Sequence, residues 1–332
     1  MKHLSDKALA RLRRGANPPD LRATRYTLLA QVGRGGMGVV YAAEDKNLQR
    51  RVALKVLDAP VSEAELTDRL MREARVLARL EHPGIVPVHD VGTLADGRVF
   101  YAMKFVEGRQ LDQHLESVTS IPDRLRIFLR ICDAVAFAHA HGILHRDLKP
   151  ANVMVGPFGE VLVMDWGLAK DLGGRRDRGA QPQDVSAPTD AREAISVATS
   201  DGKVLGTPGY MSPEQARGQV ETLDERSDIF SLGAVLRFIV SQKLPARSSR
   251  RVERALEAIC GQACAEERDR RYPTVQELAL DISRYLDGLP VTAYRESIFE
   301  RVARFYRRYT FFILLIVTYL LVRVVLALFY RR

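Results

Sequence analysis

The sequence predicts a two-lobed α+β protein, with a β-rich first lobe and a helical second lobe, followed by one C-terminal transmembrane helix. Three observations support this fold class. Strand-like runs cover 26–32, 52–57 and 99–106, helical apolar spacing dominates 121–286, and 310–330 is almost entirely apolar. A chain of 332 residues is also long enough to build two separate cores.

The first lobe begins after a polar and basic N-terminal extension, residues 1–25. Alternation over 52–57 places Ala53, Lys55 and Leu57 on one face of a strand. Apolar residues at helical spacing follow this strand, and Glu73 lies near the middle of the helix that they predict.

The second lobe is predicted to be mostly helical. Its apolar residues recur at helical spacing over 121–141, 229–240, 252–265 and 275–286. One segment breaks this pattern, because residues 171–203 contain no aromatic side chain and show no apolar period. We expect this segment to be a long loop.

The apolar segment 310–330 predicts a membrane span, because 20 residues in a helix cover about 30 Å, the thickness of a bilayer core. Arg323 lies toward its far end, where its side chain could reach the interface. Most flanking arginines precede the span, in the juxtamembrane segment 287–309. The positive-inside rule therefore places the lobes in the cytoplasm, on a single-pass inner or plasma membrane protein. The alternative is a buried or interfacial amphipathic helix.

The charge distribution indicates the class of partner, and the cysteine content indicates the redox state of the thiols. The net charge of +9 is concentrated near the two ends of the chain, which favours a membrane surface over nucleic acid, and we expect no nucleic-acid partner. Cys132, Cys260 and Cys264 form no disulfide framework, so we expect reduced thiols.

A glycine-rich sequence, Gly33-Arg-Gly-Gly-Met-Gly38, follows the first predicted strand. Alone it is compatible with a dinucleotide fold or with a simple hairpin. A dinucleotide site needs a helix that opens at the glycines, whereas Val39 and Val40 continue as a strand. A strand–loop–strand instead lets glycine amides cover phosphate groups.

Further chemistry-bearing residues follow in order along the chain. His145-Arg-Asp-Leu-Lys-Pro-Ala-Asn152 and Asp165-Trp-Gly167 supply one potential proton acceptor, Asp147, and two potential metal ligands, Asn152 and Asp165. With the glycine-rich loop, Lys55 and Glu73, these residues resemble the motif set of protein kinases. Gly206-Thr-Pro-Gly-Tyr-Met-Ser-Pro-Glu214 is similar to the corresponding segment of bacterial eukaryotic-like serine/threonine kinases.

The resemblance covers residues 26–286 as the kinase domain and implies ATP as the phosphoryl donor. Lys55 would hold the α and β phosphates, and Glu73 would orient it through an ion pair. The implied ATP-binding residues are Val32, Gly33, Arg34, Gly35, Gly36, Met37, Gly38, Val40, Ala53, Lys55, Met103, Lys104, Val106 and Met154.

The resemblance also implies catalytic roles. Asp147 would accept the substrate hydroxyl proton, Lys149 would steady the γ-phosphate, and Asn152 and Asp165 would bind Mg²⁺, with Mn²⁺ as an alternative. Four further residues are implied on the substrate side or in structural roles: Thr207, Glu214 paired with Arg271, and Asp228 beneath the catalytic loop.

The chain departs from this family in three places. Trp166 replaces the phenylalanine of the metal-binding motif, the region 241–251 is short, and the activation segment 165–214 contains the insertion 171–203. Within that segment, Thr199 or Ser200 is the expected phosphosite, and a general supply of loop hydroxyls is the alternative.

This resemblance implies a serine/threonine protein kinase that transfers the γ-phosphoryl group of ATP to proteins and autophosphorylates, and with the predicted span we expect it to act in membrane-associated signalling. Protein substrates and a membrane are the implied partners, and a homodimer is left open. The alternative is a pseudokinase scaffold that binds nucleotide without transferring phosphate. Retention of Lys55, Glu73, Asp147, Asn152 and Asp165 favours catalysis.

Overall fold

The structure is a computed structural model that describes residues 18–35, 38–57, 64–166, 170–171, 209–219, 223–241, 250–294, 314–323 and 326. It has two lobes, as the sequence predicts. The first contains a five-stranded antiparallel sheet with one long helix against it, and the second is mainly helical.

The first lobe is built on the sheet order β1-β2-β3-β5-β4. The strands are β1 (Tyr26–Gly35), β2 (Gly38–Asp45), β3 (Arg50–Leu57), β4 (Val88–Thr93) and β5 (Val99–Lys104), and helix α1 (Ala64–Arg79) lies between β3 and β4 in the chain.

Strand β3 divides its side chains between two apolar clusters. Val52, Leu54 and Val56 join one cluster, whereas Ala53 and Leu57 join the other, which extends to α1 and the second lobe. This is the alternation predicted from the sequence, and it turns Lys55 toward α1.

The second lobe packs its longer helices around one apolar core. Its helices are α2 (Leu111–Leu115), α3 (Ile121–Ala140), α4 (Pro213–Ala216), α5 (Glu225–Ser241), α6 (Arg250–Ala263) and α7 (Val275–Leu286). Ser120 caps α3 by accepting from the Asp123 amide. Leu125, Phe128, Ile131 and Val135 recur at helical spacing on the buried face of α3.

Short strands line the boundary between the lobes. They are β6 (Arg109–Gln110), β7 (Ile143–Leu144), β8 (Val153–Val155), β9 (Val161–Val163) and β10 (Lys170–Asp171), paired as β6-β8-β9 and β10-β7. Ile85 forms a bridge with Val163, whose amide donates to the Gly84 carbonyl at 2.8 Å. This contact joins the first lobe to the strand that precedes Asp165.

Packing extends beyond both predicted ends of the kinase domain. Leu21 is buried in the sheet cluster, and Arg98 donates to the Pro18 carbonyl, so residues 18–25 pack on the first lobe. Residues 287–294, predicted as the start of the juxtamembrane segment, pack on the second lobe, where Val291 is buried. We call residues 287–294 the docked tail.

Residues 314–323 are helical, and their apolar side chains are exposed. Across the ranges that the structure describes, no helix is both long and apolar enough to cross a membrane. The remainder of the span predicted over 310–330 lies outside those ranges, apart from residue 326.

Candidate active site

Lys55 on β3 is the centre of a charged cluster between the two lobes. Its Nζ donates to both carboxylate oxygens of Glu73 on α1, at 2.7 and 2.9 Å, and to Asp165 Oδ1 at 3.3 Å. Glu73 is buried, and Lys55 is largely so. The ion pair expected from the sequence is therefore present, and Asp165 joins it.

The charges in this cluster reinforce one another. Burial acts to lower the pKa of Lys55, but the negative charges of Glu73 and Asp165 outweigh it and raise that pKa above its ordinary value. Burial acts to raise the pKa of Asp165, and the positive charge of Lys55 outweighs it in turn. A protonated lysine and an ionised aspartate therefore face each other at neutral pH.

Asp147 lies in the loop between β7 and β8, where it contacts two of the predicted catalytic residues. Lys149 Nζ donates to Asp147 Oδ2 at 2.7 Å, and Asn152 Nδ2 donates to the same oxygen at 3.1 Å. Asn152 Nδ2 also donates to the Asp147 backbone carbonyl at 2.8 Å. These contacts fix the Asp147 carboxylate beside the Lys149 ammonium.

Asp228 on α5 binds the backbone of this loop. Its carboxylate accepts from the His145 and Arg146 amides, each at 2.8 Å, and lies 2.8 Å from His139 Nε2. Burial acts to raise the pKa of Asp228, but the hydrogen bond to His139 and the loop amides lower it. Arg146 has φ +70°, a conformation that L-residues rarely adopt, so the loop needs this support.

Trp166 occupies a buried position beside the loop. Its indole N–H donates to the Val163 carbonyl at 3.3 Å, and its ring lies 4.6 Å from the His145 ring. His145 Nε2 in turn lies 2.9 Å from the carbonyl oxygen of Met164. The larger aromatic residue thus ties the chain before Asp165 to the catalytic loop.

The residues predicted to line the adenine pocket lie on the sheet of the first lobe, just after β5, and on β8. Ala53 and Met103 are direct partners in the β3–β5 pairing, and both are buried. Val40 is half-buried on β2, Met154 half-buried on β8, and Lys104 and Val106 lie at and beyond the end of β5. A small residue at position 53 is consistent with the adenine pocket implied by the resemblance.

The glycine-rich loop is described at its two ends. Val32, Gly33, Arg34 and Gly35 end β1, and Gly38 begins β2. A Cβ atom on Gly38 would collide with the Val56 carbonyl oxygen on β3, so only glycine fits there. Gly36, Met37, Thr207, Thr199 and Ser200 lie outside the described residues.

Glu214 and Arg271 form the buried ion pair expected from the sequence. Two Arg271 nitrogens donate to the two Glu214 carboxylate oxygens at 2.7 and 2.9 Å. Ser227 Oγ also donates to Glu214 Oε1 at 2.8 Å. This pair joins the end of the activation segment to the turn before α7.

The residues predicted to bind metal fit a small, hard cation. Asn152 uses its amide nitrogen on Asp147, which leaves the amide oxygen as its ligating atom, and the Asp165 side chain is half exposed. Two protein oxygens suit a Mg²⁺ ion that keeps water and phosphate oxygens as its other ligands. Among the described residues, no group of three or more His, Cys, Asp and Glu could hold a metal.

Two residues at this site were not found from the sequence. Tyr101 on β5 donates its hydroxyl proton to Glu73 Oε1 at 2.8 Å, and Gln215 Nε2 donates to the Arg146 carbonyl at 2.8 Å. Tyr101 could have been found by pairing the strands, because it lies directly opposite Lys55. Gln215 gave no comparable signal.

Comparison with known proteins shows which family the chain resembles. The family described as "Protein kinase domain" matches residues 26–290. A serine/threonine-protein kinase PknD of Protochlamydia amoebophila is 33% identical over 301 residues, covering 79% of this chain and 30% of that protein. PknD of Chlamydia trachomatis serovar D is 37% identical over 302 residues, covering 80% of this chain and 32% of that protein.

This chain therefore spans about a third of the length of these curated relatives. Among solved structures, the Mycobacterium tuberculosis PknI kinase domain superposes with a TM-score of 0.55 at 26% sequence identity. That match covers 79% of this chain and 96% of the PknI domain. The likeness therefore extends over nearly all of the PknI kinase domain.

Proposed function

The chain belongs to the protein kinase family, and from this premise we propose that it is an active serine/threonine kinase that transfers the γ-phosphoryl group of ATP to protein hydroxyls. One observation carries the proposal: Lys55 Nζ contacts Glu73 and Asp165 together. Three charged groups from β3, α1 and the segment after β9 are thus already assembled where phosphates would bind.

Each catalytic residue has a separate role in the proposed reaction. Asp147 accepts the proton of the substrate hydroxyl, and Lys149, 2.7 Å away, balances charge near the transferred phosphate. Lys55, oriented by Glu73, would hold the phosphates of ATP. A bound Mg²⁺ ion, or Mn²⁺, would be held by Asn152 and Asp165 and would offset the negative charge of the phosphates.

A pseudokinase scaffold that binds nucleotide is the competing function. A scaffold has no use for a proton acceptor, yet Asp147 is held by Lys149 and Asn152, and its loop is held by Asp228. These contacts support catalysis, because they orient a carboxylate that nucleotide binding alone does not need.

The test is phosphate transfer from Mg-ATP by the 332-residue chain purified in detergent. We expect transfer to Ser and Thr, with the rate about 10²- to 10⁴-fold lower in Asp147→Asn. Asp133→Asn is the matched control, because Asp133 is an exposed aspartate on α3 away from the site. If the wild type binds ATP but transfers nothing, the scaffold replaces the kinase. Mass spectrometry of the product tests whether Thr199 or Ser200 carries phosphate.

Membrane attachment is the second part of the proposal. We propose a single-pass protein whose span lies within 310–330, with the kinase domain on the cytoplasmic side and protein substrates near the bilayer. The exposed apolar side chains of residues 314–323 support it, as do the arginines at 301, 304, 307 and 308. Release of the intact protein from membranes by alkaline carbonate would contradict this proposal.

A further inference from the structure

We propose that Tyr101 is a positioning residue, which holds Glu73 and helix α1 in the geometry that orients Lys55. The proposal rests on the kinase activity proposed above and adds to it a residue outside the kinase motifs. Tyr101 acts on the reaction through Glu73 and Lys55.

The geometry gives Tyr101 two separate contacts with the ion pair. Its hydroxyl donates to Glu73 Oε1 at 2.8 Å, and the same oxygen accepts from Lys55 Nζ at 2.7 Å. The Lys55 ammonium also lies 5.8 Å from the centroid of the Tyr101 ring. Lys55 and Tyr101 are direct partners in the β3–β5 pairing, so their side chains leave the sheet on the same face.

Burial makes the hydroxyl contact a constraint on α1. Tyr101 and Glu73 are each 2% exposed, so water does not replace either partner in this position. Burial and the negative charge of Glu73 raise the pKa of Tyr101 well above 10, and the hydroxyl therefore keeps its proton at neutral pH. If α1 moved away from the sheet, a buried donor would lose its acceptor.

This arrangement favours the conformation in which Lys55 and Glu73 are paired. A hydrogen bond to a carboxylate is stronger than one between neutral groups, and it is strongest in a dry site. Glu73 belongs to α1, whereas Tyr101 and Lys55 belong to the sheet. The tyrosine hydroxyl therefore joins the helix to the sheet independently of the lysine.

The competing explanation is that Tyr101 serves only as packing in the core. Tyr101→Phe separates the two, because phenylalanine keeps the ring and its contact with Lys55 and removes only the hydroxyl. Tyr26→Phe is the matched control. Tyr26 lies in the same lobe and is also 2% exposed, and its hydroxyl donates to Asp90 at 2.9 Å. Its ring belongs to the other apolar cluster of the lobe, which does not include Tyr101.

The experiment uses the 332-residue chain in detergent. It measures Mg-ATP affinity by calorimetry, the kinetic constants of phosphate transfer, and hydrogen exchange of α1. In Tyr101→Phe we expect ATP affinity and kcat/KM for ATP to fall about tenfold, with KM for the protein substrate changed less than about twofold. Exchange in α1 should rise. Tyr26→Phe should leave all three quantities near those of the wild type.

A second comparison tests the route through Glu73. In a Glu73→Ala background, adding Tyr101→Phe should change ATP affinity by less than about twofold, because the acceptor is already gone. If Tyr101→Phe lowers only the melting temperature, or is equally damaging without Glu73, the proposal is wrong. Should the wild type transfer no phosphate, the proposed activity fails, while ATP affinity and α1 exchange still decide the role of Tyr101.

Discussion

Glu214 illustrates how much a single buried side chain contributes to this protein. Its carboxylate receives two hydrogen bonds from Arg271 and one from Ser227, and the Arg271 guanidinium also lies over the Phe230 ring at 5.0 Å. Both charges are almost fully buried. Removing one partner leaves the other charged and desolvated, which is the costly way to break such a pair.

We predict that Glu214→Gln destabilises the protein by about 3–5 kcal/mol in the free energy of unfolding. The measurement is chemical denaturation at neutral pH. Glu266→Gln is the control, because Glu266 pairs with Arg217 at the surface, where both side chains are exposed. Its expected effect is at most about 1 kcal/mol. Equal effects of the two substitutions would contradict the prediction.

The same residue predicts a dependence of stability on pH. Burial acts to raise the pKa of Glu214, but the hydrogen bonds from Arg271 and Ser227 lower it from 4.5 to about 2. Because the pKa of Glu214 is lower in the folded state, its ionised carboxylate stabilises the fold fully at any pH above the unfolded-state pKa. This stabilisation is lost as the pH falls toward the folded-state pKa. The difference corresponds to about 3 kcal/mol.

We therefore expect the stability advantage of the wild type over Glu214→Gln to shrink between pH 4.5 and about 2. Unfolding free energies of both proteins, measured at intervals from pH 6 to about pH 2, give this difference directly. A constant advantage across that range would show that Glu214 keeps an ordinary pKa.

At the scale of elements, helix α5 supports the catalytic loop through its first turn. Asp228 holds the amides of His145 and Arg146, and it does so where Arg146 has a positive φ. Ser231, one turn later, donates to the Tyr210 carbonyl at 2.7 Å. One helix therefore supports both the catalytic loop and the chain that precedes α4.

We predict that Asp228→Ala lowers kcat by at least about tenfold while the helical content stays near that of the wild type. The reason is that two buried amides lose their acceptor and the loop relaxes, moving Asp147. Kinetics and circular dichroism provide the two readouts. Ser241→Ala, at the exposed end of the same helix, is the control. An unchanged kcat in folded Asp228→Ala would show that the loop holds itself.

Elements with a clear apolar period were predicted well from the sequence. Helix α7 was expected over 275–286 and occupies Val275–Leu286, and the alternating face of β3 is as predicted. For strand β5 the sequence did not show which side chains share a face. Five of its six residues are buried, so its apolar run is continuous and shows no alternation.

That difference also explains which site residues were missed. Lys55, Glu73 and Asp147 carry recognisable motifs, whereas Tyr101 belongs to the continuous run of β5 and resembles an ordinary core residue. Its partner Glu73 is 28 residues away in sequence, on another element. The docked tail was missed for a similar reason, since its partner Asp281 looks like a surface residue of α7.

At the scale of the whole molecule, Asp281 fastens the docked tail to the second lobe. Its carboxylate accepts from the Thr292 amide and hydroxyl, the Ala293 amide and the Tyr272 hydroxyl, and it is fully buried. Burial acts to raise the pKa of Asp281, but the hydrogen bonds from Thr292 and its neighbours lower it. The fold therefore extends past α7 to include the docked tail.

We predict that Asp281→Ala destabilises the protein by about 2–3 kcal/mol and frees the tail, because several buried donors lose one acceptor. Hydrogen exchange should show loss of protection at Thr292 and Ala293 while α3 stays protected. Asp287→Ala is the control, since Asp287 is exposed at the end of α7. Retained protection at Thr292 in folded Asp281→Ala would contradict this account.

The docked tail also limits how far the kinase domain can lie from the proposed membrane span. With residues 287–294 held on the second lobe, only residues 295–309 separate the docked tail from the proposed span 310–330. Fully extended, these residues reach at most about 54 Å. The active site would then stay within a thin layer beside the bilayer. For a membrane-bound substrate this raises the effective concentration at the active site, whereas for a freely diffusing substrate the effective concentration is unchanged.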